Sequence, residues 1–131
     1  FSDDGYLAEA DDCLVVPVAE DFEFMDNIDA ILDVPGLDVI NFGPADYALS
    51  KCMKTFYNLA EPEIQKALKE IVEKSHKRGI KVMAPVIPPT ADSLKAAMDA
   101  GVDMLIMGSD MLNLNRACSS IMDAAKEAKD L

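Results

Sequence analysis

Four short β-rich runs alternate with stretches of helical apolar periodicity along this 131-residue chain, and no other feature narrows the choice of folds as far. Leu14-Val15-Val16-Pro17-Val18 is continuous and largely β-branched, which is how a parallel strand covered on both faces reads. In residues 21–32, Phe24, Ile28, Ile31 and Leu32 recur at helical spacing, and Pro35-Gly36 closes that helix ahead of a second strand, residues 37–42. After a long connection Pro62 stands where a first helical turn accepts proline, because that position donates no helical hydrogen bond. Ile64, Leu68, Ile71 and Val72 form the inner stripe of the helix it opens, and Gly79 ends it. Residues 80–84 form the third strand, residues 85–89 break the chain at three prolines' worth of turn chemistry (Pro85, Pro88, Pro89), and Thr90 caps a helix that Gly101 stops. Residues 102–107 form the fourth strand, and residues 111–131 a last helix with Ile121 and Met122 inward. Strand–helix alternation of this kind means parallel βα units joined by right-handed crossovers.

An internal repeat runs through these units. Gly36-Leu37-Asp38-Val39-Ile40-Asn41-Phe42-Gly43-Pro44-Ala45-Asp46 is echoed 65 residues later by Gly101-Val102-Asp103-Met104-Leu105-Ile106-Met107-Gly108-Ser109-Asp110. Each copy reads helix stop, strand, glycine turn, acid, with the acid just past the strand's C-terminal end, where parallel architectures carry their chemistry. Four βα units are half of a (β/α)8 barrel, which takes about 250 residues. The chain is therefore either a small doubly wound domain or the second half of a barrel whose first half lies elsewhere. A first residue of Phe1 rather than Met fits the second option.

Charge is distributed unevenly. The 24 acidic and 12 basic side chains give a formal charge of −12, yet the first fifty residues hold thirteen of the acids and neither Lys nor Arg. So acidic a chain has no excess of cations with which to wrap nucleic acid or lie on an anionic membrane, and no apolar run approaches a membrane span. Cys13, Cys52 and Cys118 match no zinc or CxxC spacing, and an odd count suits a reducing cytoplasm better than a secreted disulfide frame.

Most of the acids read as solvated helix faces or caps. Glu20 and Asp46 stand apart. Glu20 lies two residues beyond the first strand and Asp46 four beyond the second, so both can converge at one mouth of neighbouring strands about 4.8 Å apart. Paired carboxylates with oxygen-only surroundings suit a hard cation such as Mg²⁺ or Mn²⁺, although acids after βα strands also cap helices. In the Gly43-Pro44-Ala45-Asp46 turn, Gly43 permits close approach of the backbone to a ligand, and turn N–H groups can hold a carboxylate or enolate oxygen. An ordinary turn is the plainer reading of the same four residues.

Val18-Ala19-Glu20, Asn27-Ile28-Asp29-Ala30-Ile31, Val34-Pro35-Gly36-Leu37-Asp38, Phe42-Gly43-Pro44-Ala45-Asp46 and Met107-Gly108-Ser109-Asp110, in that order and spacing, resemble the HpcH/HpaI aldolase family. The resemblance runs from about Tyr6 to the C-terminus and implies an α/β fold whose parallel βα units are strands five to eight of a (β/α)8 TIM barrel. It implies a metal-dependent carbon–carbon lyase that cleaves a 4-hydroxy-2-oxo (2-keto-3-deoxy) acid reversibly to pyruvate and an aldehyde. By the same resemblance Glu20 and Asp46 hold a divalent metal (Mg²⁺ or Mn²⁺, with Co²⁺ as a third option), and Gly43, Pro44, Ala45 and Asp46 contact the substrate. The catalytic base and a substrate-binding arginine are expected upstream of Phe1, so these 131 residues are expected to be inactive alone. Partners implied are pyruvate, a small aldehyde and further copies of the chain, with residues 111–131 packed on a neighbouring subunit. Two departures bear on the site. Val18 replaces a polar residue, often Gln, and Leu49-Ser50-Lys51-Cys52, with Phe56 and Tyr57 beyond, replaces the usual Leu-Gly continuation.

Other candidates carry less. His76 falls on a Lys/Arg-rich helix end and reads as solvent-facing, Lys81 opens a strand at the wrong end for a Schiff base, and Cys52 has no histidine partner in the pattern. Met98, Met104, Met107 and Met111 read as core or interface filler, and Ser109-Asp110 equally as helix cap or substrate donors. Two other functions fit parts of the pattern: a citrate-lyase-β-like lyase acting on an acyl-thioester, which needs a coenzyme A groove, and a non-catalytic acidic βα binding module, which needs a self-sufficient five-stranded sheet.

Overall fold

The computed structural model describes residues 5, 9–54, 59 and 61–129. Phe56, Tyr57 and the last two residues, which the sequence reading assigned to a pocket loop and a helix end, lie outside them. Four strands, β1 (Val18–Ala19), β2 (Val39–Phe42), β3 (Lys81–Pro85) and β4 (Met104–Ile106), form one parallel sheet in the order β1-β2-β3-β4. The helices are α1 (Phe22–Asp26), α2 (Ile28–Leu32), α3 (Pro44–Ser50), α4 (Pro62–His76), α5 (Ala91–Asp99) and α6 (Asp110–Glu127). Strand order equals chain order, with no reversal. Right-handed crossovers that always step the same way place their helices on one face of the sheet, which is the arrangement of a barrel wall and not of a doubly wound domain.

The burial pattern agrees. Ile40 and Phe42 of β2 and Val82, Ala84 and Val86 in and beyond β3 are fully buried against Ile64, Leu68 and Ile71 of α4, with Ala97 of α5 alongside. Each of the Val, Leu, Ile and Phe side chains among them contributes about 1.5–3 kcal/mol of burial. The alternate residues Val18, Met83, Pro85, Met104 and Ile106 stay half-buried or exposed on the opposite face. The expected inner stripe of α4 is therefore correct, and Thr90 caps α5 as expected, accepting from the Ser93 amide at 3.2 Å.

Three expectations fail for one physical reason, the bareness of that second face and of the edges. Residues 14–18 do not form a strand covered on both sides: Leu14, Val15 and Val18 are exposed, although backbone bonds from Val39 to Val15 and from Asn41 to Pro17 continue the ladder below β1. Ile121 and Met122 of α6 do not turn inward, being 68% and 58% exposed, and α6 buries no residue at all. Met98, Met104, Met107 and Met111 are likewise exposed, which removes the core half of their core-or-interface reading. A local correction concerns residues 21–32. Asn27 breaks the single expected helix into α1 and α2, its side-chain amide donating to the Glu23 carbonyl at 2.8 Å in competition with the helical ladder.

The internal repeat acquires a structural meaning at two of its positions. Gly36 and Gly101, at φ +86° and +89°, are left-handed helix stops that side chains rarely tolerate. Asp38 and Asp103 then fasten strand entries: Asp38 accepts the Val15 N–H at 3.1 Å, and Asp103 accepts the Val82 N–H at 2.9 Å. Asp103 also holds His76 Nε2 at 2.7 Å and Lys81 Nζ at 3.0 Å, which removes both of those residues from the list of free reactive groups. Partial burial pushes the Asp103 carboxyl upward, but the Val82 amide, His76 and Lys81 together outweigh it and bring it from 3.8 down to about 2. Because the folded pKa is depressed, the unfolded chain takes up this proton first. The stabilisation, about 2 kcal/mol, is complete above pH 4 and is lost as pH falls through 2. Asp103→Asn is expected to remove it at neutral pH and to flatten the loss of stability between pH 4 and 2, read by guanidinium unfolding across that range.

Candidate functional site

The strand C-termini of β1 and β2 form one rim. Their register pairs Val18 with Asn41 and Ala19 with Phe42, so the next residues, Glu20 and Gly43, stand side by side, with the Gly43 N–H donating to the Ala19 carbonyl at 2.9 Å. The Glu20 side chain crosses directly over Gly43. A Cβ built on Gly43 would lie 2.8 Å from Glu20 Cβ and 3.4 Å from its Oε2, so glycine is required here by close approach, while its φ of −99° is open to any residue. Gly43 then caps α3. The sequence reading took Gly43-Pro44-Ala45-Asp46 as a turn; it is the start of a seven-residue helix with Pro44 in the first turn, the position for which its missing N–H is no loss. Pro44 and Ala45 are buried, and Asp46 is exposed in the first turn of α3. Carboxylates are favoured there by the partial positive charge of the helix start.

A second tie holds the two segments together. The Phe22 N–H at the start of α1 donates to Ser50 Oγ at 3.1 Å, and that hydroxyl donates to the Tyr47 carbonyl at 2.8 Å, joining the beginning of α1 to the end of α3. Lys51 lies over the Phe22 ring, its Nζ 6.0 Å from the centroid. Chain segments bearing Glu20 and Asp46 are thus fastened on both sides of the rim.

Several neighbouring acids are occupied, although the Glu23 and Asp26 carboxylates of α1 make no hydrogen bond or ion pair among the described residues. Asp21 caps α1, accepting the Phe24 N–H at 2.6 Å, while Asp29 and Asp33 pair with Lys74 and Arg78 across α2 and α4. Asp110 accepts the N–H of Met111 at 2.7 Å, and Ser109 caps α6, accepting the Leu112 N–H at 3.3 Å. Glu20 and Asp46, by contrast, make no hydrogen bond or ion pair among the described residues, and both are solvent-exposed. They do not serve as the helix caps that competed with the metal reading. Their donor set is oxygen only, and among the described residues no group of three or more His, Cys, Asp and Glu side chains converges. Two carboxylates plus solvent or substrate oxygens is the ligand chemistry of Mg²⁺-like cations. Cys13, Cys52 and Cys118 are free and exposed. Gly43→Ala is expected to push Glu20 off the rim and to weaken Mn²⁺ binding at least tenfold without unfolding the protein, as measured by calorimetry alongside circular dichroism.

A parallel half-wall of four strands stepping one way is the architecture of a barrel, and comparison with known proteins places it. The HpcH/HpaI aldolase/citrate lyase family model matches residues 5–128, and the chain belongs to that family. It is 28% identical over 123 residues to the hydroxypyruvate/pyruvate aldolase of Rhizorhabdus wittichii, covering 93% of this chain and 48% of that protein. It is 30% identical over 125 residues to the 5-keto-4-deoxy-D-glucarate aldolase of Citrobacter koseri, covering 93% and 46%. Among solved structures, an HpcH/HpaI aldolase from Desulfitobacterium hafniense superposes with a TM-score of 0.80 at 19% identity, over 95% of this chain and 47% of that one. The chain spans about half the length of the relatives it matches, in keeping with four strands of an eight-stranded TIM barrel. Among the described residues no helix is long and apolar enough to cross a membrane.

Proposed function

We propose that the protein carrying these residues is a divalent-metal aldolase that cleaves a 4-hydroxy-2-oxo acid of the 2-keto-3-deoxy class reversibly to pyruvate and an aldehyde. The observation that supports this most is the pair of unpartnered carboxylates on one rim, with Glu20 folded over a glycine that no other residue can replace. Glu20 and Asp46 would hold the ion, Mg²⁺, Mn²⁺ or Co²⁺. Once bound, such an ion polarises a 2-oxo group and stabilises the charge that develops as the carbon–carbon bond breaks. Gly43 keeps the approach to Glu20 open, and Ala45 and Asp46 offer first-turn N–H groups that the helix leaves unpaired, suited to the substrate carboxylate. These donors, with the ion, reconcile an acidic segment with an anionic substrate. The general base and the substrate-binding arginine are assigned to the other half of the barrel and not to a described residue of this rim. The bare 18-residue helix α6, with Met111, Leu114, Ile121 and Met122 exposed, is assigned to exchange with a neighbouring subunit in a homo-oligomer of the cytoplasm.

Incubating the complete gene product with a panel of 4-hydroxy-2-oxo acids and following pyruvate release tests the reading. Turnover is expected to stop on chelation and to return with Mn²⁺ or Co²⁺. Turnover that survives metal removal would refute the metal assignment, and cleavage confined to an acyl-thioester would transfer the protein to the citrate-lyase branch.

A further inference from the structure

The face of the sheet turned away from the helices carries one residue that folding does not account for. In the row that crosses it, Val18 of β1, Asn41 of β2, Met83 of β3 and Met104 of β4 are paired neighbour to neighbour, three apolar side chains and one amide. Asn41 is flanked in sequence by Ile40 and Phe42, both fully buried in the helix-side core, so its own side chain belongs to the opposite face. Its Oδ1 is buried and has no hydrogen-bond partner among the described residues. A buried amide oxygen without a partner is a net cost to folding, and a Leu or Val in this row would remove that cost. The same side chain stands two residues below Gly43 on the same face, roughly 7 Å along the strand, and therefore directly beneath the Glu20–Gly43 contact. Val18, its partner in register, is two residues below Glu20 and can offer no hydrogen bond.

We propose that Asn41 contacts the bound 2-oxo acid, supplying from β2 the hydrogen bond that the apolar Val18 cannot supply from β1. A carboxamide is both donor and acceptor: its NH2 group meets a keto or carboxylate oxygen, and its oxygen meets a hydroxyl. It adds no charge to a rim that already holds two carboxylates. This rests on the aldolase reading of the Glu20–Asp46 rim, and it adds a group that recognises the substrate.

Calorimetric titration of the complete gene product, first with Mn²⁺ and then with pyruvate in the presence of Mn²⁺, separates the two. Asn41→Leu is expected to leave Mn²⁺ affinity within twofold of the parent, to weaken pyruvate at least tenfold, and to raise the thermal midpoint by removing the unpartnered oxygen. Adding Val18→Gln to that variant moves an amide one strand across the same row and is expected to restore most of the lost pyruvate affinity. A residue with only a structural role would give a lower midpoint and no rescue. Unchanged pyruvate binding in Asn41→Leu overturns the assignment of Asn41 alone, whereas a parent that binds neither Mn²⁺ nor pyruvate overturns it together with the reading beneath it.

Discussion

The Glu20→Ala, Asp46→Ala double variant is expected to lose Mn²⁺ affinity by a hundredfold or more, about 2.8 kcal/mol, and with it all metal-dependent pyruvate release. The magnitude follows from the donor set. Among the described residues Glu20 and Asp46 make no hydrogen bond or ion pair, whereas Asp21 is bonded to a helix start and Asp29 and Asp33 to basic side chains. Each single variant is expected to lose more than tenfold, and the two losses need not add, because both side chains would hold the same ion. Asp21→Ala is the informative control. Asp21 adjoins Glu20 in sequence, but its carboxylate caps α1, so its loss is expected to cost about 1 kcal/mol of stability and to leave Mn²⁺ affinity unchanged. Equal effects of Asp21 and Glu20 on metal binding would mean that bulk negative charge, and not this pair, attracts the ion.

Phe42→Ala is expected to destabilise the fold by about 3–5 kcal/mol, seen as a shift of the denaturation midpoint with an unchanged slope. Phe42 is fully buried, its ring lies 5.8 Å from that of Tyr47 at an interplanar angle of 55°, and it joins the sheet to the helical layer immediately before Gly43. Truncation leaves a cavity that the surrounding Ile40, Ala48 and Leu68 cannot close without moving α3, the helix that carries Asp46. Weaker Mn²⁺ binding is therefore expected to accompany the instability. Ile71→Val, equally buried but distant from the rim, is expected to cost about 1 kcal/mol and to leave binding intact.

Local signals explain which parts of this architecture are readable from the residues. Pro62, Thr90, Gly36 and Gly101 punctuate helices by chemistry that acts within a few residues, and the stripe of α4 depends only on a helical period, so these elements emerge at nearly their observed bounds. Whether an apolar residue is covered is a non-local property. Leu14, Val15, Ile121 and Met122 look like core residues by pattern, yet nothing among the described residues packs over them. Asn27 and Pro44 act the opposite way, since each carries a local signal, a competing side-chain amide and a first-turn proline, that sets the helix bounds around it. Position relative to strand ends was enough to single out Glu20, Asp46 and Gly43. What position alone could not reveal was that Glu20 lies across Gly43 and that Asn41 faces Val18, because both depend on the β1–β2 register.

Crystals of the complete protein grown or soaked with Mn²⁺ and pyruvate, with an anomalous difference map at the manganese edge, test the central claim most directly. The account predicts one strong peak at the rim, about 2.1 Å from a carboxylate oxygen of Glu20 and from one of Asp46. A peak bonded to neither side chain, or density for pyruvate far from the β1–β2 rim, would contradict it.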